Sequence, residues 1–191
     1  MTEKKKTAKK SEAKLDMEIA FSPLFYTVKD EKRRPNALIR REHANGWIEF
    51  RCFERLSIFD ESVVLALMFI ANDKERTRYL TPSPKSDLGK DLRKIMDPEN
   101  ELKGQTIGML IDTDLNEIAR VMGYKKPSKS NRDFIKDSMK RLGAVTVSER
   151  INSENVEYGG MPGFIRYKIK DDGRLAFAVM RRLAMAAFGE K

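Results

Sequence analysis

Between Thr113 and Leu142, apolar residues recur at Leu115, Ile118, Ala119 and Met122, then again at Ile135, Met139 and Leu142. Both runs keep the three-and-four spacing of a helix with one buried face. The stretch between them, "GYKKPSKSN" at 123–131, cannot continue a smooth helix. Gly123 is a natural left-handed terminator, and Pro127 forces a turn before a second helix begins. Asp112 or Thr113 is placed to cap the first helix, which runs through Met122. Ser128 or Ser130 is placed to cap the second, which runs to about Leu142. Further back, "SIFDESVVLALMFIAND" opens on Ser57 with Asp60 and Glu61 in the first turn, predicting a helix over about 57–71.

Strand-like patterns surround these helices. "ALIR" at 37–40 and "WIEFRCF" at 47–53 mix apolar and polar residues, with "ANG" at 44–46 as the turn between them. "QTIGMLI" at 105–111 reads as a short strand. "AVTVSERI" at 144–151 and "FIRYKIK" at 164–170 read as the two strands of a hairpin, with "NSENVEYGGMPG" as its long tip. "RLAFAVM" at 174–180 predicts a further strand and "RRLAMAAF" at 181–188 a closing helix. Residues 72–105 are loop-like, with a short helix in "DLGKDLRKIMDPE" ended before Pro98, and read as a loop insertion. The order helix, short strand, helix, turn, helix, hairpin is that of a winged helix-turn-helix. The expected fold is α+β: a single winged-helix domain over 19–191 behind a disordered arm at 1–18.

Charge changes this picture more than size does. At 191 residues and 40% hydrophobic content, the chain can build one ordinary core. Its formal net charge of +9 points to a polyanionic partner. The first 14 residues hold six lysines against two glutamates, which makes the arm either a solubilising tail or a tether along a phosphate backbone. Residues 120–141 hold eight Lys or Arg against two Asp, too one-sided for the paired charges of an ordinary solvated helix. The longest apolar run, "VVLALMFIA" at 63–71, is about half of the ~20 residues a bilayer span requires. No apolar segment follows the N-terminal cations, so no secretory signal is read. Cys52 is the single cysteine, which excludes an internal disulfide and fits a cytoplasmic protein.

The cations fall where duplex DNA would meet them. Lys125, Lys126, Ser128, Lys129 and Ser130 lie at the start of the second helix, where free backbone N–H groups favour a phosphate. Asn131 and Arg132 come early in that helix, the usual place for base-edge contacts, and Lys136 and Lys140 extend the same exposed face. Phe134 is expected to flank the buried set. Arg150, Arg166, Lys168 and Lys170 sit on the expected hairpin, placed to track a neighbouring phosphate or minor groove.

Enzyme chemistry finds no footing. There is no phosphate-binding loop. His43 is the one histidine and reads as a loop residue. Asp112 and Asp114 precede an apolar helical run and read as caps, not metal ligands. Cys52 reads as a buried thiol, and Trp47 and Tyr26 as core or edge aromatics. No enzyme, metal or cofactor is expected.

The ordered set of "SPLF" at 22–25, "KDEKRR" at 29–34, "WIEF" at 47–50, "DESVVLALMFIA", "LNEIARVMG", "RDFIKDSMKRLGAVTV" and "DGRLAFAVMRRLAMAA" resembles the N-terminal half of RepC-type replication initiators of IncQ-like plasmids. More loosely, it resembles the wider group of winged-helix plasmid initiators. The match spans most of residues 20–190 and rests on order and spacing, because each motif is short. Initiators of this kind bind direct repeats at an origin, melt an adjacent A·T-rich region and recruit a helicase. The resemblance implies that Lys129, Ser130, Asn131, Arg132 and Lys136 lie at the DNA. Such initiators usually carry a second winged-helix domain, while the pattern here accounts for one. Duplex binding therefore follows from the resemblance more directly than origin melting. Partners would be double-stranded DNA, further copies of the chain on repeated sites, and replication or transfer proteins. A winged-helix regulator or conjugation accessory protein, and a protein-docking module with the same fold, are the competing readings.

Overall fold

The computed structural model describes residues 24–27, 35–43, 46–73, 77–97, 103–104, 108–152, 156–162, 165–169 and 174–180. The basic arm at 1–18, Lys170 and the expected closing helix at 181–188 lie outside the described residues. The chain is α+β. Its strands are β1 (Phe25–Tyr26), β2 (Ala37–His43), β3 (Gly46–Cys52), β4 (Leu56–Ser57), β5 (Thr77–Tyr79), β6 (Gly108–Asp114), β7 (Thr146–Ile151), β8 (Val156–Pro162), β9 (Ile165–Ile169) and β10 (Arg174–Met180). Its helices are α1 (Ile58–Ala71), α2 (Asp87–Met96), α3 (Leu115–Val121) and α4 (Lys129–Gly143).

Two four-stranded antiparallel sheets, in the orders β2-β3-β7-β8 and β5-β6-β10-β9, contribute to one core, and a short parallel pair joins β1 to β4. Phe50 from the first sheet and Ile111 and Phe177 from the second are fully buried with Leu67 of α1, Ile118 of α3 and Ile135, Met139 and Leu142 of α4. Helix α1 is buried on most of its circumference, as its nearly unbroken apolar sequence requires.

Three expectations change. The hairpin after α4 does not join 144–151 to 164–170. Strand β7 pairs with β8, built from the Gly-rich stretch read as a tip, with Thr146 opposite Pro162 and Ile151 opposite Val156. Strand β9 pairs with β10 in the other sheet, Ile169 opposite Leu175. The cap of α3 is neither Asp112 nor Thr113. Both belong to β6, opposite Ala176 and Leu175, and Asp114 accepts from the N–H groups of Asn116 at 2.7 Å and Glu117 at 2.9 Å. The 72–105 stretch supplies β5 and α2, which pack Leu80 and Leu92 on Leu110, Ala176 and Ala178, so it closes a second small core on the far side of the β6–β10 pair.

Helix α3 ends as Gly123 allows. With φ at 98°, Gly123 donates to the Arg120 carbonyl at 2.9 Å, and the Tyr124 N–H donates to Ala119 at 3.0 Å. This paired closure satisfies two orphan carbonyls and turns the chain toward α4. A Cβ at position 123 meets nothing within 4 Å, so Gly123→Ala should cost only the left-handed backbone penalty, about 1–2 kcal/mol by chemical denaturation.

The link between α1 and α4 is ionic and buried. The Ser57 hydroxyl caps α1, and the Asp60 carboxylate accepts in return from the Ser57 N–H at 2.7 Å and hydroxyl at 2.8 Å. Its other oxygen accepts from Arg141 Nε at 3.1 Å and Nη2 at 2.8 Å. Burial opposes ionisation of Asp60, but the hydrogen bonds from Arg141 and Ser57 outweigh it and hold the carboxyl below its ordinary value of 3.8. Asp60→Ala leaves the largely buried Arg141 unpaired and should destabilise the protein by roughly 3–5 kcal/mol. A carboxylate with a lowered folded-state pKa gives stability that is complete above 3.8 and lost as the pH falls below it. Wild type and Asp60→Asn should therefore converge in stability only in acid. A constant gap down to the lowest pH at which both still fold would contradict the link.

Candidate nucleic-acid interface

Helix α4 begins on a capping box. Asn131 donates its N–H to the Ser128 hydroxyl at 3.1 Å, and its side-chain oxygen accepts from the Ser128 N–H at 2.8 Å and hydroxyl at 2.6 Å. Of the two serines placed to cap this helix, Ser128 does so, and the Asn131 carbonyl is engaged within the turn. Arg132 is engaged as well. One guanidinium nitrogen donates to Asn116 Oδ1 at 3.2 Å and to the Pro127 carbonyl at 3.3 Å, bridging α3, the turn and α4. The two residues expected at base edges thus both contribute to the internal geometry of the helix pair.

The outward side of α4 follows from which side is inward. Ile135, Ser138, Met139 and Leu142 are buried. Lys129, Lys136 and Lys140, at i, i+7 and i+11, form one row on the opposite side. Lys125, Lys126 and Lys129 are exposed, and with Lys136 they make no hydrogen bond or ion pair among the described residues. Lys140 is paired with Asp137 at 2.9 Å, a contact that raises its pKa. Ser130 is exposed beside them. Phe134 does not join the buried set. Its ring is 57% exposed and stands edge-on to Phe59 at 6.4 Å.

The cations expected on one hairpin are divided between two sheets. Arg150 lies on β7, with Nε 3.3 Å from Asn152 Oδ1. Arg166 on β9 donates to the Gly143 carbonyl and so closes the C-terminal end of α4. Its neighbour Tyr167 packs against Gly143, and burial raises the Tyr167 pKa. Lys168 pairs with Asp91 of α2 at 2.6 Å, which lowers the Asp91 pKa. The structure brings together Lys125, Lys126, Ser128, Lys129, Ser130, Lys136 and Lys140 around the start and outer side of α4, and adds Arg166 at its end. Sequence reasoning passed over Arg141. Its position among the buried residues of α4, one residue before Leu142, was the available signal.

Among the described residues, no group of three or more His, Cys, Asp or Glu side chains could hold a metal ion, and no helix is long and apolar enough to cross a membrane. Cys52 is buried, and desolvation pushes its thiol up to about 11, away from the reactive thiolate.

No curated protein matches the chain. Two crystal structures of domains 2 and 3 of RctB align with it. One, of selenomethionine derivatives, aligns over 83% of this chain and 56% of that one, at 16% identity and a TM-score of 0.44. The other aligns over 83% and 54%, at 15% identity and 0.42. The chain thus spans about half the length of those structures. The family model described as Replication protein C (RepC) matches residues 11–191, which covers the helix pair, its lysine row and both sheets. The chain belongs to the RepC family of replication proteins.

Proposed function

We propose that the chain is a sequence-specific duplex-DNA-binding protein that acts as a plasmid replication initiator on repeated origin sites, with α3 and α4 as a helix-turn-helix. The observation that carries this reading is the fixed, one-sided presentation of α4. Its inner side is held by a buried ion pair and four buried side chains, and its outer side offers the row Lys129, Lys136 and Lys140. Lys125 and Lys126 in the preceding turn extend the row toward the helix N-terminus, where N–H groups also attract phosphate.

The winged form of the motif follows a different hairpin from the one the sequence suggests. Strand β6 runs directly into α3, and β10 and β9 pair beside it in the order β6-β10-β9. In this reading the β9–β10 hairpin serves as the wing, a role supported by its pairing beside β6. Arg132 in this reading is a positioning residue that fixes the angle between α3 and α4. Lys125, Lys126, Lys129, Lys136 and Lys140 take the phosphates.

Neutralising about five phosphates should make log K fall against log salt with a slope of roughly −4 to −5. Lys129→Ala and Lys136→Ala should each reduce that slope by about 1 and weaken binding to all sequences alike. Fluorescence anisotropy of a labelled duplex across a salt series reads both quantities. An affinity for duplex DNA that ignores salt, or a slope unmoved by either variant, would falsify the assignment of this face.

A further inference from the structure

The lysine row of α4 does not end on open helix. Lys129, Lys136, Lys140 and Gly143, at i, i+7, i+11 and i+14, share one stripe, and at Gly143 strand β9 lies against it. A cleft of about 270 Å³ opens there, bounded by Lys140 and Gly143 of α4 and by Arg166 and Tyr167 of β9. The missing side chain at Gly143 permits the approach, because a Cβ would stand 3.2 Å from the Tyr167 ring. Burial raises the pKa of this half-buried phenol, and Lys140 and Asp137 are near enough to act on it in opposite directions.

A helix C-terminus ordinarily repels an anion through its last carbonyls. In α4 those carbonyls are taken. The Ala144 N–H donates to the Lys140 and Arg141 carbonyls at 3.0 and 3.1 Å, and the Val145 N–H donates to Leu142 at 3.4 Å. Arg166 donates to the Gly143 carbonyl and brings a full positive charge to the cleft. Asp137, paired with Lys140 at 2.9 Å, is an exposed partner of an exposed lysine, and a phosphate can replace it.

We propose that this cleft seats one backbone phosphate of the duplex, with Lys140 Nζ and the Tyr167 hydroxyl as its donors. This deepens the duplex-binding reading and rests on it. The stripe selects the occupant, because an anion in the cleft that belongs to a polyanion also meets Lys136 and Lys129 along the same line. Lys129 and Lys140 are eleven residues apart, about 16 Å along the helix, so its two ends hold different phosphates. The lysines act as point charges, while the tyrosine adds a directional donor that fixes register on the backbone.

The test is a methylphosphonate scan, in which each phosphate of a bound duplex is replaced in turn by a neutral group of similar shape. Tyr167→Phe should weaken binding of the full chain about tenfold, the loss of one hydrogen bond to a charged group. It should keep the wild-type salt slope, because no cation is removed, whereas Lys140→Ala should lower that slope by about 1. One replacement should weaken wild type yet cost Tyr167→Phe far less, while Lys126→Ala feels it in full. Unchanged affinity of Tyr167→Phe overturns the proposal. So does a scan in which every replacement costs variant and wild type alike, or one in which Lys126→Ala is blind at the same position. In those cases a persisting salt slope leaves the duplex-binding reading standing, and absence of duplex binding removes both. Tyr167→Phe keeps the ring against Gly143, which an unchanged melting temperature checks. If that temperature falls, the exposed Lys140→Ala must show the blind position instead.

Discussion

One carboxylate sets how this molecule presents the helix α4. Asp60 is fully buried at the start of α1, where one oxygen closes the capping box with Ser57 and the other receives two donors from Arg141 of α4. A buried charge is tolerated only when its hydrogen-bonding capacity is met, and here both partners lie on elements that must pack together. The same contact therefore ends the backbone problem of one helix and fixes the rotation of the other. Because Arg141 lies beside Leu142 and one turn beyond Asp137, holding it inward turns Lys129, Lys136 and Lys140 outward. The apolar layer of Ile135, Met139 and Leu142 agrees with that rotation and supplies most of its energy.

Among the described residues on and around α4, the cations form two populations with different work. Arg132, Arg141 and Arg166 are tied to Asn116 and Pro127, to Asp60 and to the Gly143 carbonyl, and they hold α4 at its start, its flank and its end. Arginine suits this role because its planar fork can serve two acceptors at once. The lysines on and before α4 point outward, and most of them have no anion beside them among the described residues. A rigid helix held by arginines and offering lysines is the arrangement expected of a surface built for an external polyanion. Membership of a replication-protein family gives that polyanion a natural identity.

Much of this was legible from local pattern, and the rest failed for definable reasons. Ser57 with Asp60, Gly123 and Ser128 marked three helix boundaries, because caps and terminators act within four residues of the chain. The lysine row followed from helical periodicity once the buried positions were known. Strand partners were not legible. Pairing depends on which edge is free in three dimensions, and "YGGMP" carries glycines and a proline that locally argue for a turn. The short helix α2 was legible but its packing was not, because its core partners, Leu110, Ala176 and Ala178, are distant in sequence and two of them are small. The hydrogen bonds that draw Asn131 and Arg132 into the turn were not legible, because they depend on a capping geometry and on a neighbour in α3, Asn116.

The central claim is that the outward side of α4 recognises a particular duplex sequence. Its most direct test is selection of bound duplexes from a fully randomised pool at near-physiological salt, followed by sequencing. The account predicts an enriched motif for the wild-type chain, arranged as direct repeats, and the same motif with weaker overall binding for a Lys129→Ala/Lys136→Ala double variant that keeps the wild-type melting temperature. A wild-type pool without enrichment, or a double variant that binds as tightly as the wild type, would contradict it.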